Sequence, residues 1–267
     1  MAPDHGDRGG ELTDGIVNGT CALVTGAGSG IGRATALALA REGARVMVSE
    51  IDATRGEETV AAIEAAGGQA RFVALDVTEE AAWEWAMAAT ADAFGTLGVL
   101  VNNAGVLPEP IPLEETTLAL WRRVTAVNLD GVFLGIKHGI RAMRDSGGAI
   151  VNLASVYALV GAANIGGYGA AKGAVVSLTR SAAMECCHLG YAIRVNAVCP
   201  GYIDTGMTEE TAVAVGYDVR DAMAKQAPMK RMGRPEEVAE AIVFLASARS
   251  AFTTGTTLTM DGGYAAR

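Results

Sequence analysis

Half of the 267 residues are hydrophobic, enough for the core of one large α/β domain, and the net charge of −9 makes nucleic acid and anionic membrane surfaces poor partners. No apolar run approaches the ~20 residues needed to span a bilayer. The four cysteines (Cys21, Cys186, Cys187, Cys199) and three histidines (His5, His138, His188) lack metal-ligand spacing, so no metal site is expected and the thiols read as free.

Residues 1–16 are polar and Gly-rich without a signal-peptide apolar core, which predicts a flexible tail, a folded domain over 17–267 and a cytoplasmic location. Thr20–Thr25 reads as a buried strand of the kind parallel sheets use. Gly26-Ala-Gly-Ser-Gly-Ile-Gly32 comes next, then a helical pattern from Arg33 to Glu42. Strand, Gly-rich turn and helix together cradle a phosphate: glycine admits close backbone approach, and the helix start offers N–H donors. No Gly-Lys-Ser/Thr ending is present, which excludes a P-loop.

A second strand, Ala44–Ser49, ends at Glu50. Glu50 stands eighteen residues beyond Gly32, near the ~20 expected of a carboxylate bonding a ribose diol. No Arg or Lys adjoins it in Ser49–Asp52 or in the Gly-rich turn, which favours NAD over NADP. A solvated carboxylate at a strand end is the plainer alternative. Asp52 reads as the N-cap of a helix over Thr54–Ala66. Phe72–Leu75 is a third strand, and the adjoining Asp76-Val77 either holds and covers an adenine ring or caps the helix that begins near Glu79. Val99–Val101 is a fourth strand, leading into Asn102-Asn-Ala-Gly105 at the strand end where open α/β sheets bind ligands.

Thr117 to Arg144 is a long helical pattern interrupted by Asn128-Leu-Asp-Gly131, residues poor in a helix interior. Either the helix distorts there and frees a carbonyl, or packing tolerates three weak residues. Val132–Ile136 is apolar enough for an interface. Strands at Ala149–Leu153, Ala192–Val198 and Thr256–Met260, a helix reaching Leu189, and a helix over Pro235–Ala246 complete the alternation. Residues 202–229 show weak periodicity and mixed charge, as a mobile lid would. The whole predicts a doubly wound α/β domain.

Tyr168 and Lys172 lie four residues apart, which on a helix places both side chains on one face. A Lys cation beside the phenol favours phenolate and is expected to lower a Tyr pKa that is normally about 10. Ser155, thirteen residues upstream, comes just after a strand, so its hydroxyl and the pair can converge on one carbonyl. An ordinary amphipathic helix start would show the same spacing.

Thr25-Gly-Ala-Gly-Ser-Gly-Ile-Gly32, Asp76-Val77, Asn102-Asn-Ala-Gly105, Asn128, Ser155, Tyr168-x-x-x-Lys172, Pro200-Gly201 and Thr205 occur in the order and at the spacings of the classical short-chain dehydrogenase/reductase family, which the chain resembles over roughly residues 17–267. The resemblance implies a seven-stranded parallel Rossmann-type sheet with helices on both faces, usually assembled as a homotetramer. It implies Tyr168 as general acid/base, Lys172 as its pKa-lowering partner and ribose anchor, Ser155 as the carbonyl-polarising donor, and Asn128 as holder, through its backbone carbonyl, of a water that touches Lys172. The implied NAD site runs along Gly26, Ser29, Gly30, Ile31 and Gly32, then Glu50, Asp76 and Val77. It continues over Asn103, Ala104 and Gly105 to Tyr168 and Lys172, and ends at Pro200, Gly201, Ile203 and Thr205. The implied reaction is hydride transfer between NAD(H) and a secondary alcohol or ketone. Val156, Tyr157, Leu159, Tyr202 and Met207, with Ser155 and Tyr168, outline a mostly apolar pocket for a hydrophobic substrate, cyclic or steroid-like. A 3-oxoacyl-thioester reductase is the alternative enzyme, though these usually take NADPH. A non-catalytic NAD-binding redox sensor is the alternative of another class, though such proteins typically lose the Tyr or Lys present here.

Overall fold

The computed structural model describes residues 15–206, 208 and 218–266. Seven strands, β1 (Cys21–Thr25), β2 (Arg45–Glu50), β3 (Gln69–Ala74), β4 (Leu97–Asn102), β5 (Gly148–Leu153), β6 (Ile193–Pro200) and β7 (Thr257–Met260), form one parallel sheet in the order β3-β2-β1-β4-β5-β6-β7. The chain winds outward in both directions from β1 and β4, so their carboxyl ends flank the switch point where such sheets bind ligands.

Alternation along each strand feeds two cores. Ala22 and Val24 of β1 face one layer with Leu39, Ile63 and Ile242 from helices α1 (Gly30–Arg41), α2 (Ala53–Ala65) and α8 (Pro235–Ala246). Cys21 and Leu23 face the other, with Trp83, Met143 and Val175 from α3 (Glu80–Phe94), α5 (Gly131–Met143) and α6 (Gly166–His188). Asp52 caps α2 by accepting from the Thr54 and Arg55 amides, and Pro235 occupies the first turn of α8.

The long helical pattern resolves into α4 (Leu118–Thr125), a π-turn over Ala126–Asp130, and α5. The Gly131 amide bonds the Ala126 carbonyl five residues back, which is the distortion that Asn128-Leu-Asp-Gly131 suggested. Of the stretch expected at an interface, Val132, Leu134 and Ile136 are buried in the chain's own core and Phe133 is exposed. At the N-terminal boundary, Gly15 and Ile16 of the expected tail pack on the end of α1: the Ile16 amide bonds the Glu42 carboxylate, and a Cβ on Gly15 would lie 2.2 Å from the Glu42 carbonyl oxygen. Met207 and the centre of the expected lid lie outside the described residues. Within that segment, Arg220 of the short helix α7 (Arg220–Gln226) pairs with Asp204 at 3.1 Å. No helix among the described residues is long and apolar enough to cross a membrane.

Arg194 of β6 reaches the end of α8, where its guanidinium donates to the carbonyls of Leu245, Ala246 and Ser247 and to the Ser250 hydroxyl at 2.6–3.2 Å. These carbonyls belong to the last helical turn and its cap, which lack intrahelical partners. Arg194→Met is expected to destabilise the fold by about 1.5–3 kcal/mol, read as a lowered denaturant midpoint; an unchanged midpoint would refute the clamp.

Candidate active site

Ser155 ends the segment after β5, and Tyr168 and Lys172 stand on the first turns of α6. The structure brings the three together. Ser155 is buried and hydrogen-bonds the Tyr168 phenol, and its hydroxyl oxygen also accepts the Tyr157 amide at 3.2 Å. The Lys172 ammonium, 3 % exposed, donates to the Leu153 carbonyl at 2.8 Å and lies 5.8 Å from the centre of the Tyr168 ring.

The electrostatics differ from the expectation that Lys172 would draw the phenol pKa down. Burial pushes Tyr168 up to about 12 against the opposing Ser155 bond. Burial likewise pulls Lys172 down to about 8. Desolvation is the largest cause of both shifts, and the ammonium is bonded to the Leu153 carbonyl rather than to the phenol.

Asn128 is fully buried in the π-turn. Its side chain donates to the Val106 and Val124 carbonyls and accepts the Val106 amide, so it clamps the loop leaving β4. Gly105 of that loop passes so close that a Cβ would lie 2.7 Å from Asn128 Oδ1 and 3.5 Å from Lys172 Nζ. Asn103 donates to the Thr25 and Gly26 carbonyls, while Thr25 Oγ1 accepts the Asn103 and Ala104 amides. The turn after β1 and the turn after β4 are thereby tied together.

The Gly-rich turn makes the close approaches its glycines allow. Gly26 and Gly30 have positive φ, and a Cβ on Gly32 would lie 2.1 Å from the Gly26 carbonyl oxygen. Ser29 precedes α1 exposed, with no capping bond from its hydroxyl, and Ile31 is half-buried beneath it. Glu50 accepts the Gly28 amide at 3.0 Å and the Ile51 amide at 2.8 Å. Thr205 packs against Gly30, and a cavity of about 440 Å³ opens beside them, lined also by Arg33 and Arg220. Asp76 accepts from the Thr78 amide and hydroxyl rather than capping α3, whose N-cap is Glu79. Val77 is buried and touches Gly131 closely. Pro200 ends β6, Gly201 abuts Asp261, and Ile203 bridges Gly233. A helix N-terminus, a side-chain-free cradle and a carboxylate at its rim fit a nicotinamide dinucleotide.

Two features escaped the sequence reading. Arg55, five residues beyond Glu50, rises from α2 so that a Cβ on Gly28 would lie 2.7 Å from its own Cβ and 2.9 Å from Glu50 Oε2. Asn102 donates to Asn152 at 2.8 Å, and Asn152 to Thr179 at 2.9 Å, a buried polar ladder from β4 through β5 to α6. Paired amides at the same register of adjacent strands were the available signal for it.

A family model described as enoyl-(acyl carrier protein) reductase matches residues 26–265. A cis-4-hydroxycyclohexanecarboxylate dehydrogenase of Sinomonas cyclohexanicum is 47% identical over 92% of this chain and 96% of its own. A cyclohexanol dehydrogenase of Acinetobacter sp. (strain SE19) is 41% identical over 94% and 96%. An NADP-dependent (R)-specific alcohol dehydrogenase of Lentilactobacillus kefiri is 38% identical over 96% and 100%. The crystal structure of a short-chain type dehydrogenase/reductase from Mycobacterium marinum superposes with a TM-score of 0.87 at 34% identity, covering 93% of this chain and 96% of that one.

A lysine whose folded pKa lies near 8, below its usual 10.5, penalises the folded state fully below pH 8 and progressively less as pH rises toward 10.5. The thermal midpoint of the cofactor-free wild type, minus that of Lys172→Met, is therefore expected to increase between pH 8 and 10. A difference that stays flat across that range would show that the ammonium is not desolvated.

Proposed function

Because the chain belongs to the classical short-chain dehydrogenase/reductase family, we propose that it is an NAD-dependent enzyme interconverting a hydrophobic cyclic secondary alcohol and its ketone. The observation that carries the reading is the convergence of Ser155, Tyr168 and Lys172 at the sheet's carboxyl edge, next to the glycine cradle at the switch point. The Sinomonas and Acinetobacter relatives are named for cyclohexane-ring alcohols, which supports a cyclic substrate.

In this proposal the Ser155 and Tyr168 hydroxyls both bond the reacting oxygen. Tyr168 gives its proton to the carbonyl oxygen during reduction and takes the alcohol proton during oxidation. Ser155 holds the oxygen in line and stabilises the charge that develops on it. Lys172 holds the ribose and places its positive charge 5.8 Å from the Tyr168 ring centre, where it offsets part of the burial cost of the tyrosinate formed in turnover. Asn128, with its side chain committed to the β4 loop, contributes through its backbone in the π-turn. The nicotinamide, when bound, supplies or accepts the hydride. With the phenol pushed up to about 12, Tyr168 is protonated at neutral pH, ready for reduction, and oxidation gains as pH rises. Tyr157 and Tyr202 line the substrate side, and the assembly proposed is a homotetramer, with exposed Phe133 of α5 and Met184 of α6 as candidate interface residues.

Glu50 has lone pairs beyond those its two amide bonds use, enough to accept a ribose diol, and its charge repels a 2′-phosphate. This supports NAD over the NADP of the Lentilactobacillus relative. The description of the matching family model favours one second reading, reduction of an acyl thioester. Thioester substrates in the same assay separate the two, and turnover of any substrate excludes a sensor.

Tyr168→Phe is expected to abolish NAD reduction with cyclohexanol while NAD still quenches protein fluorescence. Near-normal turnover by that variant would overturn the assignment. Glu50→Ala removes the carboxylate beside Arg55 and is expected to shift the NADP/NAD ratio of kcat/KM upward by about tenfold or more. An unchanged ratio would locate cofactor choice elsewhere.

A further inference from the structure

The helix that follows the carboxylate of the cradle brings a cation back to it. Arg55 stands on the first turn of α2, five residues beyond Glu50. The backbone that carries it is fixed. The Thr59 hydroxyl, fully buried, lies 3.0 Å from the Ala27 carbonyl oxygen and 3.2 Å from that of Arg55, which ties this turn of the helix to the Gly-rich turn. Gly56 lets the same turn close onto the sheet: a Cβ there would lie 2.3 Å from the Phe72 ring and 3.4 Å from Glu50 Cβ. Gly28 is thereby enclosed between two side chains, since a Cβ on it would meet Arg55 Cβ at 2.7 Å and Glu50 Oε2 at 2.9 Å.

The two charges are differently engaged. Each Glu50 oxygen accepts one backbone amide, from Gly28 and from Ile51. Arg55 meets Asp52 through Nε at 3.5 Å, and its two terminal nitrogens have no hydrogen-bond partner among the described residues. Both members of that pair are about half exposed, at 58 % and 47 %, where an ion pair contributes little and another anion can replace it. Asp52 also caps α2 through its other oxygen, so it keeps its place when the guanidinium turns away. The rim is open to solvent at Ser29, Ile51 and Arg55.

We propose that Arg55 is a second specificity-determining residue for the cofactor: a 2′-phosphate ligand kept idle by Glu50, so that loss of that one carboxylate is enough to admit NADP. This rests on the dinucleotide reading of the cradle and deepens it. A guanidinium presents parallel N–H donors that match phosphate oxygens bidentately, and it stays charged at any working pH. A 2′-phosphate at this rim meets cation and anion together, whereas a 2′-hydroxyl needs only the carboxylate as acceptor. The acidic residue therefore sets the preference, and the basic one sets how far it reverses when the acid is removed.

The test is calorimetric titration of the full cofactor-free chain with NAD, NADP and the fragment 2′,5′-ADP, which needs no turnover. Glu50→Gln is expected to raise the NADP/NAD ratio of association constants by about tenfold or more over wild type, and Glu50→Gln with Arg55→Met to lose most of that gain. Glu50→Gln with Arg55→Lys, which keeps the charge without the fork, is expected to fall between them. NAD binding by the double variants reports that fold and cradle survive. An equal ratio with and without Arg55 in the Glu50→Gln background, while wild type binds NAD, would overturn the role of Arg55 and leave the NAD reading standing. Wild type that binds no NAD, with Glu50→Gln taking up 2′,5′-ADP only when Arg55 is present, would overturn the NAD reading and leave the role of Arg55 standing.

Discussion

A buried ammonium is the constraint around which the site is arranged. Lys172 is nearly without solvent contact, and its charge leans on the Leu153 carbonyl at the end of β5. Desolvating a cation is costly unless fixed dipoles replace the lost water. The end of β5, the π-turn that carries Asn128 and the side-chain-free Gly105 all crowd the same few ångströms. A side chain at Gly105 would enter the space between the Asn128 amide and the ammonium. The chain therefore holds its cation near a phenol without bonding it there.

The surrounding edge is stiffened by amides rather than by ion pairs. Asn103 stitches the β1 and β4 turns, Asn128 holds the loop beyond β4, and Asn102 and Asn152 link β4 to β5 and on to Thr179. Neutral hydrogen bonds in a buried setting hold geometry without placing further charge beside the Tyr168 phenol. The ion pairs of Arg41 with Glu240 and of Arg231 with Glu237 lie away from these turns, on the surface, where they contribute little.

Much of this was legible in the residues. Central strands are continuous apolar runs, so β1, β4 and β5 stood out; β3 did not show its full extent, Gln69–Ala74, because it is an edge strand whose alternate residues are exposed. Weak helix formers at Asn128-Leu-Asp-Gly131 announced the distortion, and Asp52 announced its cap. Long-range side-chain placement was not legible. Nothing in the local pattern says that Arg55 lies over Gly28, that Asn128 spends its amide on Val106, or that Tyr264 joins Tyr157 across more than a hundred residues. The sign of the Tyr168 shift was missed for the same reason. Spacing gives the proximity of two groups, whereas desolvation depends on everything packed around them.

The π-turn also sets the rotational phase of α5. One additional residue in a helical turn rotates all later side chains by about 100° relative to an uninterrupted α-helix. The thirteen residues of α5 point Val132, Leu134, Ile136 and Met143 into the core only with that extra residue in place. Deleting a single residue from Ala126–Asp130 would give a more regular helix and a mispacked one, swinging its apolar stripe away from the sheet. The irregularity beside the lysine and the packing of the helix beyond it are therefore one heritable unit, which no single-residue deletion can separate.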